Sequence, residues 1–146
     1  MSNVYSFLDV NAAIVGPGGA FSLGSGAGAA EEGISVTPTG EIDGMQIGAD
    51  GSGQHSLHAD KSGKVTVRLL KTSPTNRLLN AMYAFQTASA SSHGQNTITV
   101  SDSARGDLVT CRQVAFAKAP DLSYGKDAGI IEWEFNCITI DRALGE

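Results

Sequence analysis

The sequence contains no uninterrupted apolar run that approaches the roughly 20 residues needed by a membrane-spanning helix. Its first residues also lack the basic region and the apolar stretch of a secretory signal peptide. We therefore expect neither membrane insertion nor conventional secretion.

Positive charge is scarce. Ten lysines and arginines stand against fifteen acidic residues, which gives a formal net charge of -5. A domain that grips nucleic-acid phosphates normally presents a concentrated positive surface. The charge balance therefore disfavours tight DNA binding.

Cysteine is equally scarce. Cys111 and Cys137 lie far apart and form no CxxC motif. They could in principle form one disulfide, but two cysteines do not make a disulfide framework, and we interpret them as reduced thiols. The 146 residues, 41% of them apolar, suffice for one hydrophobic core without disulfide cross-links. We expect residues 1–146 to form a single domain.

Only 17% of the residues are charged and eighteen are glycine, a composition that favours strands and turns over helices. Residues 5–15 alternate as a half-buried strand would. One face carries Leu8, Val10, Ala12 and Ile14, and the other carries Phe7, Asp9, Asn11 and Ala13. We predict a turn over 16–19, a short strand over 20–23, a loop over 24–33, and a strand over 34–37 that Pro38 ends.

Residues 41–70 carry turn signals at Asp43-Gly44, Asp50-Gly51 and Ser62-Gly63. Short strands between these turns predict a long, protruding hairpin. Its best strand is 64–71, where the valines and Leu69 alternate with polar residues.

Ser73 and Pro74 together form a helix-start signal, because a serine oxygen can cap a free backbone N–H and proline fits the first turn. We predict one helix from there to about Gln86. Its apolar stripe consists of Leu78, Met82 and Phe85.

Three further strands are predicted over 97–100, 108–117 and 130–140. In the last, Ile131, Trp133 and Phe135 alternate with polar residues, so one side packs and the other is polar. We expect Trp133 and Phe135 to pack against the stripe of the helix.

Several short motifs resemble reactive sites but lack the necessary context. The glycines of 24–29 (GSGAGA) precede no helix, and 60–64 (DKSGK) lacks the first glycine and the hydroxyl of a phosphate loop. Ser123 and Lys126 have SxxK spacing in a region that favours a loop, and His55 and His58 would point to opposite strand faces. Nothing assembles a nucleophile, a base and an orienting partner, so the residues predict no enzyme, cofactor or metal site.

The combination of segments resembles the tail tube proteins of long-tailed bacteriophages, of the contractile kind. The likeness covers nearly the whole chain. It rests on 6–14 (SFLDVNAAI), 47–51 (IGADG), 59–76 (ADKSGKVTVRLLKTSPTN), 94–96 (GQN), 112–116 (RQVAF), 120–124 (PDLSY), Glu132-Trp133 and 138–141 (ITID).

This resemblance implies a β-sandwich or partly rolled β-barrel with one flanking helix. It also implies self-assembly into hexameric rings that stack into a hollow tube for DNA delivery. A related ring protein serves as the expelled tube of type VI secretion systems. The implied partners are further copies, tail sheath, baseplate and tape-measure proteins, with transient passage of DNA, in a virion tail assembled in the bacterial cytoplasm. The residues alone leave open a small β-domain that binds a ligand or protein, or a degenerate enzyme.

Two sets of residues are candidates for assembly. We expect residues 40–64 to lie between subunits, because their small polar side chains offer little internal core. The contact candidates are Ala49, Asp50, Gly51, His55, His58, Asp60 and Lys61. A lumen wall must not hold phosphates, so the Glu132/Glu134 face and the Asp9/Asn11 face are both candidates, between which the sequence does not choose.

Overall fold

The computed structural model describes residues 4–24, 26 and 28–145. Within these residues the chain forms a 3-10 helix, nine strands and one α-helix. Their bounds are Phe7–Asp9 (3-10), β1 Val10–Gly16, β2 Gly19–Ser22, β3 Ala29–Pro38, β4 Asp43–Ile47, β5 Gly53–Leu57, β6 Gly63–Leu70, α1 Thr75–Thr87, β7 Asn96–Asp102, β8 Asp107–Phe116 and β9 Ile130–Ala143.

Seven strands form one antiparallel sheet in the order β2-β1-β7-β8-β9-β6-β3, and β4 and β5 form a separate two-stranded hairpin. The mainly β fold and its single helix are confirmed. The hairpin predicted over 41–70 is shorter than expected, because β4 and β5 alone form it, whereas β6, predicted as its best strand, pairs with β9 and β3 in the main sheet. Strands β2 and β3 lie at the two ends of the sheet order, so the described strands do not close into a barrel.

The hydrophobic core contains the apolar residues that alternate with polar ones along β6 and β9, the two strands with the clearest predicted pattern. Val65, Val67 and Leu69 of β6 are fully buried, and Trp133 and Phe135 of β9 lie opposite this strand. Phe116 contacts both aromatic rings of β9, with ring centroids 5.9 Å from Trp133 and 4.8 Å from Phe135. These edge and tilted contacts are the arrangements that aromatic pairs prefer.

The helix buries a different face from the predicted one. Its start is confirmed, since the Ser73 hydroxyl accepts a hydrogen bond from the Thr75 backbone N–H at 3.2 Å. Met82 is buried as predicted, but Leu78 and Phe85 are exposed, so the predicted stripe is wrong at two of its three positions. The residues that α1 buries are Thr75, Leu79, Met82 and Gln86.

A buried amide pair accounts for this rotation of the helix. The Gln86 side chain donates to Asn96 Oδ1 and accepts from Asn96 Nδ2, both at 2.7 Å. Gln86 also donates to the Pro17 carbonyl. These reciprocal hydrogen bonds offset the free-energy cost of burying two amide side chains. A prediction that places only apolar residues on the buried face of a helix does not anticipate a buried glutamine.

The first strand begins later than predicted. The Ser6 hydroxyl accepts from the Leu8 backbone N–H, and residues 7–9 form a 3-10 turn instead of extended chain. Leu8 is therefore exposed, whereas Val10, Ala12 and Ile14 are buried as expected.

The strand after the glycine-rich segment begins earlier than predicted. Strand β3 starts at Ala29, so the loop predicted over 24–33 is wrong from there onward, and positions 25 and 27 lie outside the described residues. The pairing of β3 with β6 shifts between Ala29 and Ile34, where Gly33 has a φ of 63°. A glycine in this left-handed conformation permits such a bulge.

Of the three predicted turn signals in the hairpin region, the first is wrong. Asp43 and Gly44 lie inside β4, where they pair with Leu57 and Ser56. The turn predicted at Asp50-Gly51 is confirmed, since it joins β4 to β5.

Both cysteines are free and buried on adjacent strands β8 and β9. A hydrogen bond to Cys111, together with burial, raises the pKa of the Cys137 thiol. Cys137 is therefore a protonated thiol at neutral pH.

Candidate assembly surfaces

The β4–β5 hairpin has two chemically different faces. Residues directly opposite in an antiparallel pair share a face, and successive residues alternate between faces. The register therefore groups Gly44, Gln46, Gln54 and Ser56 on one face, where Gln54 donates to Gln46 at 2.6 Å. This face is polar.

The other face is largely apolar. It carries Met45, Ile47 and Leu57, whose exposed fractions are 61%, 61% and 86%. The same face holds one polar pair, His55 Nδ1 with Asp43 Oδ2 at 3.0 Å. Contiguous exposed apolar side chains are uncommon on a soluble monomer and mark contact surfaces. We call the three apolar residues the hairpin face.

The tip of the hairpin is a tight, hydrogen-bonded turn. Asp50 Oδ1 accepts from the Ser52 hydroxyl at 2.6 Å and from its backbone N–H at 3.0 Å. These two hydrogen bonds lower the pKa of the Asp50 carboxyl. The backbone also closes between Gly51 N–H and the Gly48 carbonyl.

The base of the hairpin is tied to the main sheet. The His58 N–H donates to the Ile42 carbonyl at 2.7 Å, and the Ile140 N–H of β9 donates to the Lys61 carbonyl at 2.9 Å. Asp60 accepts from the Ser62 hydroxyl and N–H, which lowers the pKa of the Asp60 carboxyl. The hairpin is thus anchored at its base and exposed along its length.

The seven contact candidates do not form one cluster. Three lie at the tip, His55 lies within β5, and three lie at the base. They therefore trace the length of the hairpin. Sequence reasoning missed the hairpin face itself, although the alternation of Met45 and Ile47 before the Asp50-Gly51 turn was a usable signal.

The first pair of lumen candidates lies on the outward face of β9. Glu132 accepts from Arg68 Nε of β6 at 3.1 Å, and Arg68 also donates to the Ser35 hydroxyl at 3.0 Å. Glu134 lies opposite Thr66, and Lys64 lies opposite Asn136. This face thus carries two carboxylates and two cations, of which Glu132 and Arg68 form an ion pair, so the formal charges of these four residues cancel.

The second pair of lumen candidates does not share a strand. Asn11 is exposed on β1, but Asp9 lies in the preceding 3-10 helix, so the predicted common strand face is wrong. Strands β7 and β8 stand between β1 and β9 in the sheet order. The structure therefore keeps the two candidate surfaces apart.

The structure also shows where the motifs that resemble reactive sites lie. Ser123 and Lys126 lie in the irregular connection between β8 and β9, where the Lys71 ammonium donates to the Ser123 carbonyl. Among the described residues, no group of three or more metal-ligating side chains comes together. No helix in the described part of the chain is long and apolar enough to span a bilayer.

An open β-sheet with two strand edges and an exposed hairpin with an apolar face are features through which β-domains associate with other chains. The family model of the bacteriophage PhiTE tail tube protein matches residues 1–145, so the chain belongs to that family. It is a structural subunit of a phage tail tube. No curated protein sequence matches it.

Solved structures share this fold at low sequence identity. The sheath-tube complex of an extracellular contractile injection system in its extended state has a matching chain with TM-score 0.60 and 11% identity, covering 97% of this chain and 93% of that one. The sheath/tube terminator of such a system matches with TM-score 0.58, 9% identity and coverages of 97% and 98%. The tube-terminating cap of the anti-feeding prophage matches with TM-score 0.55, 9% identity and coverages of 99% and 95%.

Proposed function

We propose that copies of this chain form hexameric rings and that the rings stack into a hollow tube through which DNA is delivered. The observation that carries the stacking step is the hairpin face, which is exposed on a chain of the tail tube family. Its apolar side chains gain burial only from a partner, and burying each one contributes about 1.5 to 3 kcal/mol.

Ring closure uses the edges of the sheet. Strand β2 forms one edge and β3 the other, and each offers backbone donors and acceptors to a neighbouring strand. Because the two edges differ, pairing β2 of one subunit with β3 of the next is a head-to-tail contact. Repeated contacts of this type close into a ring when the rotation between subunits allows it.

The lumen wall is the outward face of β9 and β6. A wall with excess lysine and arginine would hold DNA phosphates, whereas a balanced wall lets the polyanion slide. The pairing of Arg68 with Glu132 and Ser35 satisfies the guanidinium within the protein, which supports this face over the Asp9 and Asn11 region.

We further infer that residues 1–146 act as one tail-tube domain without catalytic activity. Its partners are copies of itself, the tail sheath, the baseplate and the tape-measure protein, and assembly takes place in the bacterial cytoplasm. The sheath-tube, terminator and baseplate complexes that contain chains of the same fold support the sheath and baseplate partners.

Removing the hairpin tests the stacking step. Residues 43–57 can be deleted by joining Ile42 to His58, because these two residues already share a backbone hydrogen bond. We expect electron microscopy to show rings but no tubes, with the full-length protein as the control. Tubes of normal length from the deletion variant would overturn the role of the hairpin.

A further inference from the structure

The chain contains two Asp-Gly dipeptides, and the structure places them in different surroundings. Asp43-Gly44 lies within β4, whereas Asp50-Gly51 lies in the turn between β4 and β5. In an Asp-Gly dipeptide the glycine nitrogen can attack the aspartate carboxyl, because glycine has no side chain that hinders the close approach. The attack begins the conversion of aspartate into isoaspartate, so each dipeptide is a candidate site for this change.

The Asp50 turn brings the reacting groups together. Asp50 Oδ1 accepts a hydrogen bond from the Ser52 N–H, which holds the carboxyl over the intervening residue, Gly51. Gly51 is exposed, has a φ of 89°, and apart from its chain neighbours no atom lies within 4 Å of the place where a Cβ would stand. Gly51 therefore offers no steric hindrance to closure of a five-membered ring.

The hydrogen bonds of this turn also suit the chemistry of the attack. When the nitrogen adds to the carboxyl carbon, negative charge develops on a carboxyl oxygen, and donors already directed at that oxygen stabilise the tetrahedral intermediate. The Ser52 N–H and hydroxyl both donate to Asp50 Oδ1, at 3.0 Å and 2.6 Å. Oδ1 is thus the stabilised oxygen, and Oδ2 is the one that leaves.

Asp43-Gly44 has the same two residues without this geometry. Both residues pair with β5 across the hairpin, which keeps their backbone extended. The Asp43 carboxyl is held by the His55 ring, with Oδ2 3.0 Å from Nδ1. Gly44 is half-buried, and a Cβ at this position would come within 2.8 Å of His58 Nε2. Strand pairing and crowding therefore oppose ring closure here.

Asp60 has the turn without the glycine. Its Oδ1 accepts from the Ser62 N–H at 2.9 Å and from the Ser62 hydroxyl at 2.6 Å, as Asp50 does from Ser52. These hydrogen bonds lower the pKa of both carboxyls, so protonation does not distinguish the two aspartates. The residue after Asp60 is Lys61, whose side chain hinders attack by its nitrogen. Of the three aspartates, only Asp50 combines the turn with a following glycine.

We propose that Asp50 is a site of spontaneous modification, at which the native turn converts aspartate into isoaspartate. The Gly51 nitrogen forms a bond to Asp50 Cγ and loses its proton, the Cγ–Oδ2 bond breaks, and one water leaves from a cyclic succinimide. Water then adds to the former main-chain carbonyl carbon of Asp50, and the bond from that carbon to the Gly51 nitrogen breaks. One water is released and one is consumed, so the reaction needs no other reactant.

The product changes the tip of the hairpin. Isoaspartate adds one carbon to the main chain and carries its carboxylate directly on Cα, so the two hydrogen bonds from Ser52 to the Asp50 carboxylate are lost. The new carboxylate is the group that isoaspartyl methyltransferases recognise, which makes such an enzyme a probe for the modification. The inference concerns the turn itself and does not depend on the stacking role of the hairpin.

The first test compares the three aspartates within one protein. The full-length protein is incubated in heavy-oxygen water, at a dilution where light scattering shows no tubes, and mass spectrometry with electron-transfer fragmentation counts isoaspartate at each position. We expect Asp50 to react at least about tenfold faster than Asp43 or Asp60. In denaturant, which removes the strand pairing, Asp43 and Asp50 should react at similar rates. Equal native rates at Asp43 and Asp50, or a native Asp50 rate below its rate in denaturant, would overturn the proposal.

The second test transfers the glycine to the other turn. Lys61→Gly changes an exposed residue and gives Asp60 both features of the Asp50 site. We expect isoaspartate at Asp60 to form about as fast as at Asp50, which serves as the internal standard. Lys61→Ala is the matched control, since it removes the same charge but keeps a Cβ, and its Asp60 should stay slow. An Asp60 that remains unmodified in Lys61→Gly would show that the turn does not promote the reaction.

Discussion

Asp50 and Asp60 occupy the same local structure at the two ends of the hairpin. Each carboxylate accepts hydrogen bonds from the hydroxyl and the N–H of the serine two residues later. Such turns stabilise a change of chain direction because the aspartate side chain accepts the hydrogen bond of a backbone N–H that has no backbone acceptor in the turn. At the scale of residues, the hairpin is therefore ordered by its own side chains.

The Asp50 turn gives a titration prediction. In Ser52→Ala the side-chain hydrogen bond is lost, so the pKa of Asp50 should rise toward its ordinary value of 3.8. NMR titration of both carboxyls measures this, with Asp60 as the internal control. Because the folded pKa is depressed, the stabilisation of the turn is present above the unfolded pKa and is lost as the pH falls through the folded pKa. An unchanged Asp50 pKa in the variant would contradict the assignment.

Trp133 gives a stability prediction. It is buried, packs on Phe116 and donates from Nε1 to Asn76 Oδ1 at 3.0 Å. Trp133→Ala should cost about 3 to 5 kcal/mol in denaturant unfolding. The matched variant Phe85→Ala removes an exposed ring and should cost much less. Equal losses for the two variants would show that Phe85 belongs to the core after all.

At the scale of elements, strands β6 and β9 could be predicted because each buries one face along most of its length. In such strands every second residue is apolar and buried, as Val65, Val67 and Trp133 are, so the sequence pattern indicates the buried face. The helix start could also be predicted, because Ser73 acts on its nearest neighbours. Local signals therefore place these elements correctly.

The helix face and the early start of β3 could not be predicted, because both depend on distant partners. Gln86 can be buried because its side chain forms an amide pair with Asn96, the first residue of β7. Strand β3 forms along β6 despite its weak local pattern, with a bulge that Gly33 permits. The hairpin was predicted from its turn, but its apolar face depends on the register between Met45 and His55.

The outward face of β9 gives a prediction about passage of DNA. Lysines at Glu132 and Glu134 would change this balanced surface to four positive charges. Rings should still form, since a partly exposed ion pair contributes little, but DNA ejection should become slower and more dependent on salt. Lysines at Asp9 and Asn11 are the matched control. If only the control variant slows ejection, the lumen lies on that side, and failed ring assembly would place β9 at a subunit contact.

At the scale of the whole molecule, the fold separates two kinds of surface. The edges β2 and β3 lie at the two ends of the sheet order, while the β4–β5 hairpin lies outside the main sheet and rejoins it just before β6. The edges can close a ring and the hairpin can stack rings without competing for the same residues. This separation is what a tube built from one kind of subunit requires.

The most direct test of this account is electron microscopy of the purified full-length protein over a wide concentration range. We predict six-fold rings in end-on views and, at higher concentration, hollow tubes made of stacked rings. A protein that stays monomeric at every concentration, and that is absent from rings in tail lysates, would contradict the assembly proposed here.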